Sequence, residues 1–337
     1  MERPDLTTTT DEIVAYIEYL EDQLKSKTGR KEAKSIQTVE PSEPETPIQV
    51  ITISQNGLIK RTPRHLYGRQ KRAGMGVFDV DLPDGDKPKQ VLLADVESDL
   101  IALTNFARVF KLPVSKIAET PVRGKGEPLE NLTRTFGMHG REHVVTYLAG
   151  SGPSMVILTE KGHVILRNKN FIRNSAVLYD VNTIQGPLAA CWSTGQDELF
   201  VGTKKGLAIR FSTKQVSSRG TSAIRLEAGD DLLGVTAVEP DGGVLLVSSE
   251  GRGTIRLMDG FRPNKAPGGG GKVALKAEEM VGMAAARAED DIFIISSLSK
   301  MIRFNTGDIP AKTGAVQGVH LMSLRADDVA AVAVAKL

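Results

Sequence analysis

From residue 48 onward one pattern recurs six times, and no other property of the chain narrows its fold as far. A β-rich run ending in Thr or Ser meets a short turn, and a second run closes on an apolar–basic pair. The first runs lie at 50–54, 100–104, 155–159, 199–203, 245–249 and 293–297. The turns use Asn56-Gly57, 105–107, Lys161-Gly162, Lys205-Gly206, 251–253 and Ser299-Lys300, so each unit reads as a hairpin. The pairs are Ile59-Lys60, Phe110-Lys111, Leu166-Arg167, Ile209-Arg210, Ile255-Arg256 and Ile302-Arg303, with the cations 51, 56, 43, 46 and 47 residues apart. Each unit then adds a glycine-containing loop, a third run (223–227, 273–276) and a fourth run rich in small residues (91–96, 188–193, 233–238, 281–286, 329–334). The alanines at 284–286 favour helix by propensity alone, but the β-rich repeats around them argue for strand.

Four short strands every ~40–50 residues describe a propeller blade, because one four-stranded sheet cannot bury both faces and must stack on others. The expected fold is all-β: a six-bladed β-propeller over 48–337, with blades near 48–97, 98–152, 153–195, 196–241, 242–289 and 290–337. A Trp-Asp repeat propeller is excluded, since the single tryptophan, Trp192, is followed by Ser193. No apolar run approaches the ~18 residues of a membrane span, and the acidic, polar start is not a signal peptide. The lone cysteine, Cys191, excludes an internal disulfide framework, fits a reducing cytoplasm and reads as a core residue.

Residues 1–29 are expected to form one short amphipathic helix over 6–29. Thr9 and Glu12 have capping-box spacing, Ile13, Ile17, Leu20 and Leu24 form a narrow apolar seam, and Gly29 is a natural stop. Such a seam needs a partner: the body of the chain, a second copy in a homodimer, or another protein. Residues 30–47, with Pro41, Pro44 and Pro47, read as a flexible linker.

The net charge of +2 divides unevenly, −5 over residues 1–47 and +7 over the remainder. A basic body points toward a polyanionic partner. Equivalent cations in equivalent blades predict a positive belt around the rim, suited to the regularly spaced phosphates of duplex DNA. The candidate DNA-binding residues are Lys60, Lys111, Arg167, Arg210, Arg256 and Arg303, flanked by Arg61, Arg64, Arg69, Lys71, Arg72, Lys169, Lys204, Lys205, Lys214 and Arg219. Arg108, Arg173, Arg252 and Arg262 add to the same charge.

The stretch 51–76 resembles the first blade of the DNA gyrase A C-terminal domain. That family carries Lys-Arg-Thr-Pro after a glycine turn, then a Tyr, then the gyrase box Gln-Arg-Arg-Gly-Gly-Lys-Gly. Here Lys60-Arg61-Thr62-Pro63, Tyr67 and Gln70-Lys71-Arg72-Ala73-Gly74-Met75-Gly76 occupy those places. Later units agree in pattern: Ser218-Arg219-Gly220 leading to Ile224-Arg225-Leu226-Glu227, and the glycine loop 268–273. The resemblance covers about 48–337 and extends to the related domain of topoisomerase IV. It implies a β-pinwheel that binds and bends DNA around its rim within a bacterial type II topoisomerase system. The family's Arg-Tyr nucleophile and the core that carries it are missing here, so no DNA cleavage by this chain alone is expected. Ala73 and Met75 depart from the box, where the family has Gly and Lys; this favours binding and bending over full chiral wrapping.

Two other motifs carry no chemistry. The loop 266–273 lacks the first Gly and the final Ser or Thr of a phosphate-binding loop, and His139 and His143 sit among glycines that oppose a helix presenting both to a metal. No cofactor or metal ion is expected. The competing reading is a protein-interaction propeller that no longer binds DNA.

Overall fold

The computed structural model describes residues 9–28, 43–264 and 266–335. Each sequence repeat folds as an antiparallel hairpin, and the six hairpins form the centres of six sheets. In the first blade the order outward from the axis is Pro88–Asp95, Ile48–Ser54, Leu58–Pro63 and Glu127–Pro128. The innermost strand is the fourth run in the first and the third to sixth blades, including Met280–Ala286, whose alanines pair as strand with Gly243, Val244 and Leu245; in the second blade it is Val144–Leu148, with bulkier side chains.

The third run of each repeat does not complete its own blade. It crosses to the preceding one and becomes that blade's outer edge. Thr221–Ser222 pairs with His163–Asn168, and Lys272–Val273 pairs with Leu207–Ser212. Ala311–Lys312 pairs with Arg252–Leu257, while the second blade has only a bridge from Val177 to Arg108. A 3-10 turn after each hairpin, such as Arg64–Leu66 or Thr213–Gln215, sends the chain toward the neighbouring edge.

The same exchange closes the ring. Val77–Phe78, from the first repeat, pairs with Lys300–Asn305 in the last blade. At the axis Gln90 of the first blade donates to Thr146 Oγ1 (3.2 Å) and the Tyr147 carbonyl (2.7 Å) of the second. All six inner strands line an axial cavity of about 270 Å³, with Gln90, Thr146, Ala189, Gly234, Gly282 and Ala331 contributed one from each. Close approach explains the small residues: a Cβ on Gly282 would stand 2.6 Å from Val332 Cγ2 of the next blade. Between blades, hairpin side chains such as Ile157, Val201, Leu245 and Ile294 are fully buried. Each contributes roughly 1.5–3 kcal/mol of burial.

The leader helix, α1, spans Asp11–Thr28. It begins one position later than Thr9 would cap, with Val14 N–H donating to the Thr10 carbonyl at 3.0 Å. α1 packs on the body, but not through the expected seam. Val14 and Ala15 are buried, and Glu18 accepts from Arg325 at 3.1 Å and faces Lys300 at 3.5 Å. Ile13 and Leu20 of the seam point to solvent. The side chain of Leu24 and most of the expected linker, 30–42, lie outside the described residues.

Candidate nucleic-acid interface

The recurring cations do not occupy one ring. Counted back from the last residue of its strand, Lys60 is three positions away, Lys111, Arg210 and Arg303 are two, and Arg167 and Arg256 are one. Side chains alternate across a sheet, so a shift of one position moves a side chain to the other face. Lys60, Arg210, Arg256 and Arg303 are buried, as are Arg61 and Arg64; Arg167 is half-buried and Lys111 alone of the six is exposed. The expected solvent-facing belt of strand-end cations is therefore corrected.

The buried arginines link blades instead. Arg303 Nε donates to Asp291 Oδ2 at 2.9 Å, while Nη1 donates to the carbonyls of Arg64 (3.2 Å) and Tyr67 (3.0 Å) in the first blade's 3-10 turn. Arg210 pairs with Glu198 and donates to the carbonyls of Met258 (2.7 Å) and Phe261 (2.9 Å) in the fifth blade's turn. Arg61 reaches Gln49 Oε1 at 3.1 Å and the Ile117 carbonyl of the second blade's turn at 2.8 Å. These carbonyls lie at turns where the strand ladders supply no donor, and a forked guanidinium can serve two at once. Arg167 follows suit, donating to the carbonyls of Leu178 (2.7 Å) and Ser218 (3.2 Å). Arg256 stays nearer home, donating to the Gly260 carbonyl at 3.3 Å and lying over the Phe261 ring. Arg64 is taken by Glu43, with Nε to Oε1 at 2.9 Å.

Lys60 has a different enclosure. Its Nζ donates to Asp79 Oδ1 at 2.6 Å and to the Asp79 carbonyl at 2.7 Å. Thr52 (2.9 Å) and Tyr67 (2.5 Å) donate to the same carboxylate. Burial pushes the Lys60 ammonium below its ordinary pKa, and Asp79 offsets part of that. Burial, with Asp79 beside it, drives the Tyr67 phenol well up. Such a cation is unavailable to a phosphate.

Exposed charge lies on the segments that cross between blades. Lys71 is exposed over the sixth blade, Arg123 and Lys125 over the first, Arg173 over the second, Arg219 over the third, Lys272 over the fourth and Lys312 over the fifth. The circuit is complete, one or two cations per blade edge. Lys116, Lys169 and Lys214 extend it along the 3-10 turns of the second, third and fourth blades. The matching turns of the fifth and sixth blades carry Asp259 and Asp308, so this extension covers only part of the ring. Lys204 and Lys205 are exposed at a hairpin turn, the opposite end of the strand from the 3-10 turn. Arg69 is exposed yet committed to Asp291, Nε to Oδ1 at 2.9 Å. Lys116, Arg123, Lys125, Lys272 and Lys312 were not legible as site residues. The usable signal was the short third run, once its exchange to the neighbouring edge is known.

The box-like segment lies flat along the last blade. Gln70 N–H donates to the Arg303 carbonyl and Ala73 N–H to the Leu321 carbonyl, both at 2.7 Å, and Gly74 bridges Met322. Gly76 has φ +76°, and a Cβ there would stand 2.7 Å from the Met301 carbonyl oxygen. Only glycine suits both conditions. Lys71, Ala73 and Met75 face solvent, while Arg72 is half-buried with Nη1 donating to the His320 carbonyl at 3.2 Å.

This geometry has known counterparts. The family model described as DNA gyrase C-terminal domain, beta-propeller, matches residues 49–87, 98–129, 197–239 and 290–336. The DNA gyrase A protein of Staphylococcus epidermidis is 27% identical over 294 residues, covering 82% of this chain. That of Staphylococcus aureus is 28% identical over 297 residues, again covering 82% of this chain. The chain spans 33% of the length of these curated relatives. Among solved structures, a DNA gyrase A C-terminal domain superposes over 86% of this chain and all of its own, with TM-score 0.74 at 19% identity. A topoisomerase IV C-terminal domain superposes over 85% of this chain and 93% of its own, with TM-score 0.57 at 17% identity. In fold, and in sequence over these four stretches, the propeller of this chain is similar to the C-terminal domain of DNA gyrase A.

Proposed function

We propose that the propeller binds duplex DNA without sequence specificity and bends it around the rim, in support of a type II topoisomerase core acting on the bacterial nucleoid in the cytoplasm. The observation that carries this reading is the circuit of exposed cations on the exchanged outer segments, from Lys71 through Arg123, Lys125, Arg173, Arg219 and Lys272 to Lys312. Their partner is the phosphate backbone, and any preference among sequences comes from how readily the duplex bends. Lys169 and Lys214 join this surface; Lys204 and Lys205 make a separate contact at the hairpin end. Met75 stands exposed where the box supplies a lysine, so bending is favoured over full chiral wrapping.

Binding is tested by titrating labelled duplex DNA against the protein over a salt series. Affinity should fall steeply with salt, as expected when several phosphates are neutralised. Absence of binding at low salt would sink the reading. Wrapping is tested separately by closing a nicked plasmid in the protein's presence and measuring its linking number.

A protein-interaction role is the second reading, favoured by the burial of Lys60, Arg210, Arg256 and Arg303. Recovery of a protein partner without nucleic acid, together with no DNA affinity, would select it.

A further inference from the structure

Phe171 stands 67% exposed at the tip of the third blade's 3-10 turn, Lys169–Phe171, more than any other large apolar side chain among the described residues. The fold does not require an aromatic there. The matching position is Lys116 in the second blade, Gln215 in the fourth, Gly260 in the fifth and Asp308 in the sixth. Only the first blade also places an apolar residue there, Leu66, which is 36% exposed. The surroundings of Phe171 are polar and cationic. Asn168, Lys169, Asn170, Arg173 and Asn174 are all exposed, and the sequence has no acidic residue between Glu160 and Asp180. Lys169 has no ion pair among the described residues, and Arg173 spends only its Nε, on the Asn170 carbonyl at 3.2 Å. Cations and amides beside an aromatic ring complement a nucleotide, whose base offers a π-face and whose phosphate takes the charge. An apolar protein surface would instead strand both cations away from water. Bases inside a duplex are already stacked on both faces, so the complementary base is an unpaired one. The ring is also presented on a fixed backbone. Asn168 Oδ1 accepts from Asn170 N–H at 2.9 Å, and Lys169 N–H donates to the Pro153 carbonyl at 2.8 Å. Ile172 N–H donates to the Lys169 carbonyl at 2.9 Å while its side chain is buried, so little ordering remains for binding to supply.

We propose that Phe171 is a stacking platform for one unpaired base, by which the third blade's turn captures a bulged or locally melted nucleotide on DNA lying along the rim. The proposal rests on the DNA-binding reading above. The test compares a duplex carrying one bulged adenine with the same duplex fully paired, in competition titrations against the full chain. Wild type should bind the bulged duplex roughly tenfold tighter. Phe171→Ala should erase that difference. Its affinity for the paired duplex, the salt dependence and the urea midpoint should stay unchanged, because the side chain is exposed. Phe171→Trp should keep the difference. With 2-aminopurine as the bulged base, fluorescence should fall on binding wild type but not Phe171→Ala. A bulge also makes a duplex easier to bend, so a preference that survives in Phe171→Ala would belong to bending and overturn the proposal. Wild type that binds both duplexes equally overturns this inference alone, whereas absence of binding to either sinks the DNA-binding reading with it.

Discussion

Arg303 on the last blade donates to the backbone carbonyl of Tyr67 on the first at 3.0 Å, so one guanidinium spans the two ends of the ring. The same side chain pairs with Asp291 on its own blade and with Glu43 just before the first strand. Arg303→Ala would leave buried Asp291 with Arg69 as its remaining ion pair and strip the Arg64 and Tyr67 carbonyls of their guanidinium donor. It should cost about 3–5 kcal/mol, read as a lowered urea midpoint. Arg303→Lys should recover only a small part, since a single ammonium cannot reach both the carboxylate and the turn carbonyls.

Gly76→Ala tests the latch formed by the box-like segment. The added Cβ meets the Met301 carbonyl at 2.7 Å in a left-handed backbone, so a loss of about 1–3 kcal/mol is expected. Gly57 has a similar φ of +85° but open space around it, and Gly57→Ala should cost less. Equal losses at both sites would show that the contact with Met301 does not matter.

Charge changes should separate the two classes of cation. Reversing Arg173, Arg219, Lys272 and Lys312 together should weaken DNA binding and lower the salt slope by about 0.9 for each phosphate contact removed. Lys60→Met should leave that slope unchanged and alter stability instead, because its ammonium is enclosed by Asp79 and Tyr67. A salt slope that responds to Lys60→Met but not to the quadruple reversal would place the interface elsewhere.

Met75→Lys restores the cation that the family's box carries at this position. The side chain is half-exposed, so the fold should tolerate the change. Affinity for duplex DNA and the linking-number change on plasmid closure should both rise, and a null result in both would remove the box from the DNA path.

Stability should decline at alkaline pH. Burial holds the phenols of Tyr67, Tyr147 and Tyr179 above their ordinary pKa, with Asp79 adding to the effect on Tyr67 and Glu160 on Tyr179. The folded protein then keeps protons that the unfolded chain releases near pH 10. This stability is fully present below that pH and is lost as pH rises through the folded-state values. Urea midpoints measured on either side of pH 10 should show the fall. Tyr147→Phe should reduce its steepness at little cost near neutrality, because the buried Tyr147 hydroxyl has no hydrogen-bond partner among the described residues.

The repeat was legible because hairpin turns and alternating apolar runs are local codes. Lys161-Gly162 and Lys205-Gly206 announce turns, and runs such as 155–159 can satisfy their backbone and bury their side chains only in a stacked sheet. The sequence by itself therefore determined six hairpins, small-residue inner strands and an amphipathic leader. Which face α1 turns inward, and which cations meet solvent, were decided only by the tertiary structure. Arg210 and Arg303 look like surface residues when read along the chain, since nothing local reveals the turn carbonyls of the next blade. The exchange of Lys272–Val273 and Ala311–Lys312 onto the preceding blades is likewise invisible to local patterning, because two-residue strands carry almost no periodic signal. Burial and charge pairing between elements far apart in sequence settle these placements, and they moved the candidate DNA surface from the strand ends to the crossing segments.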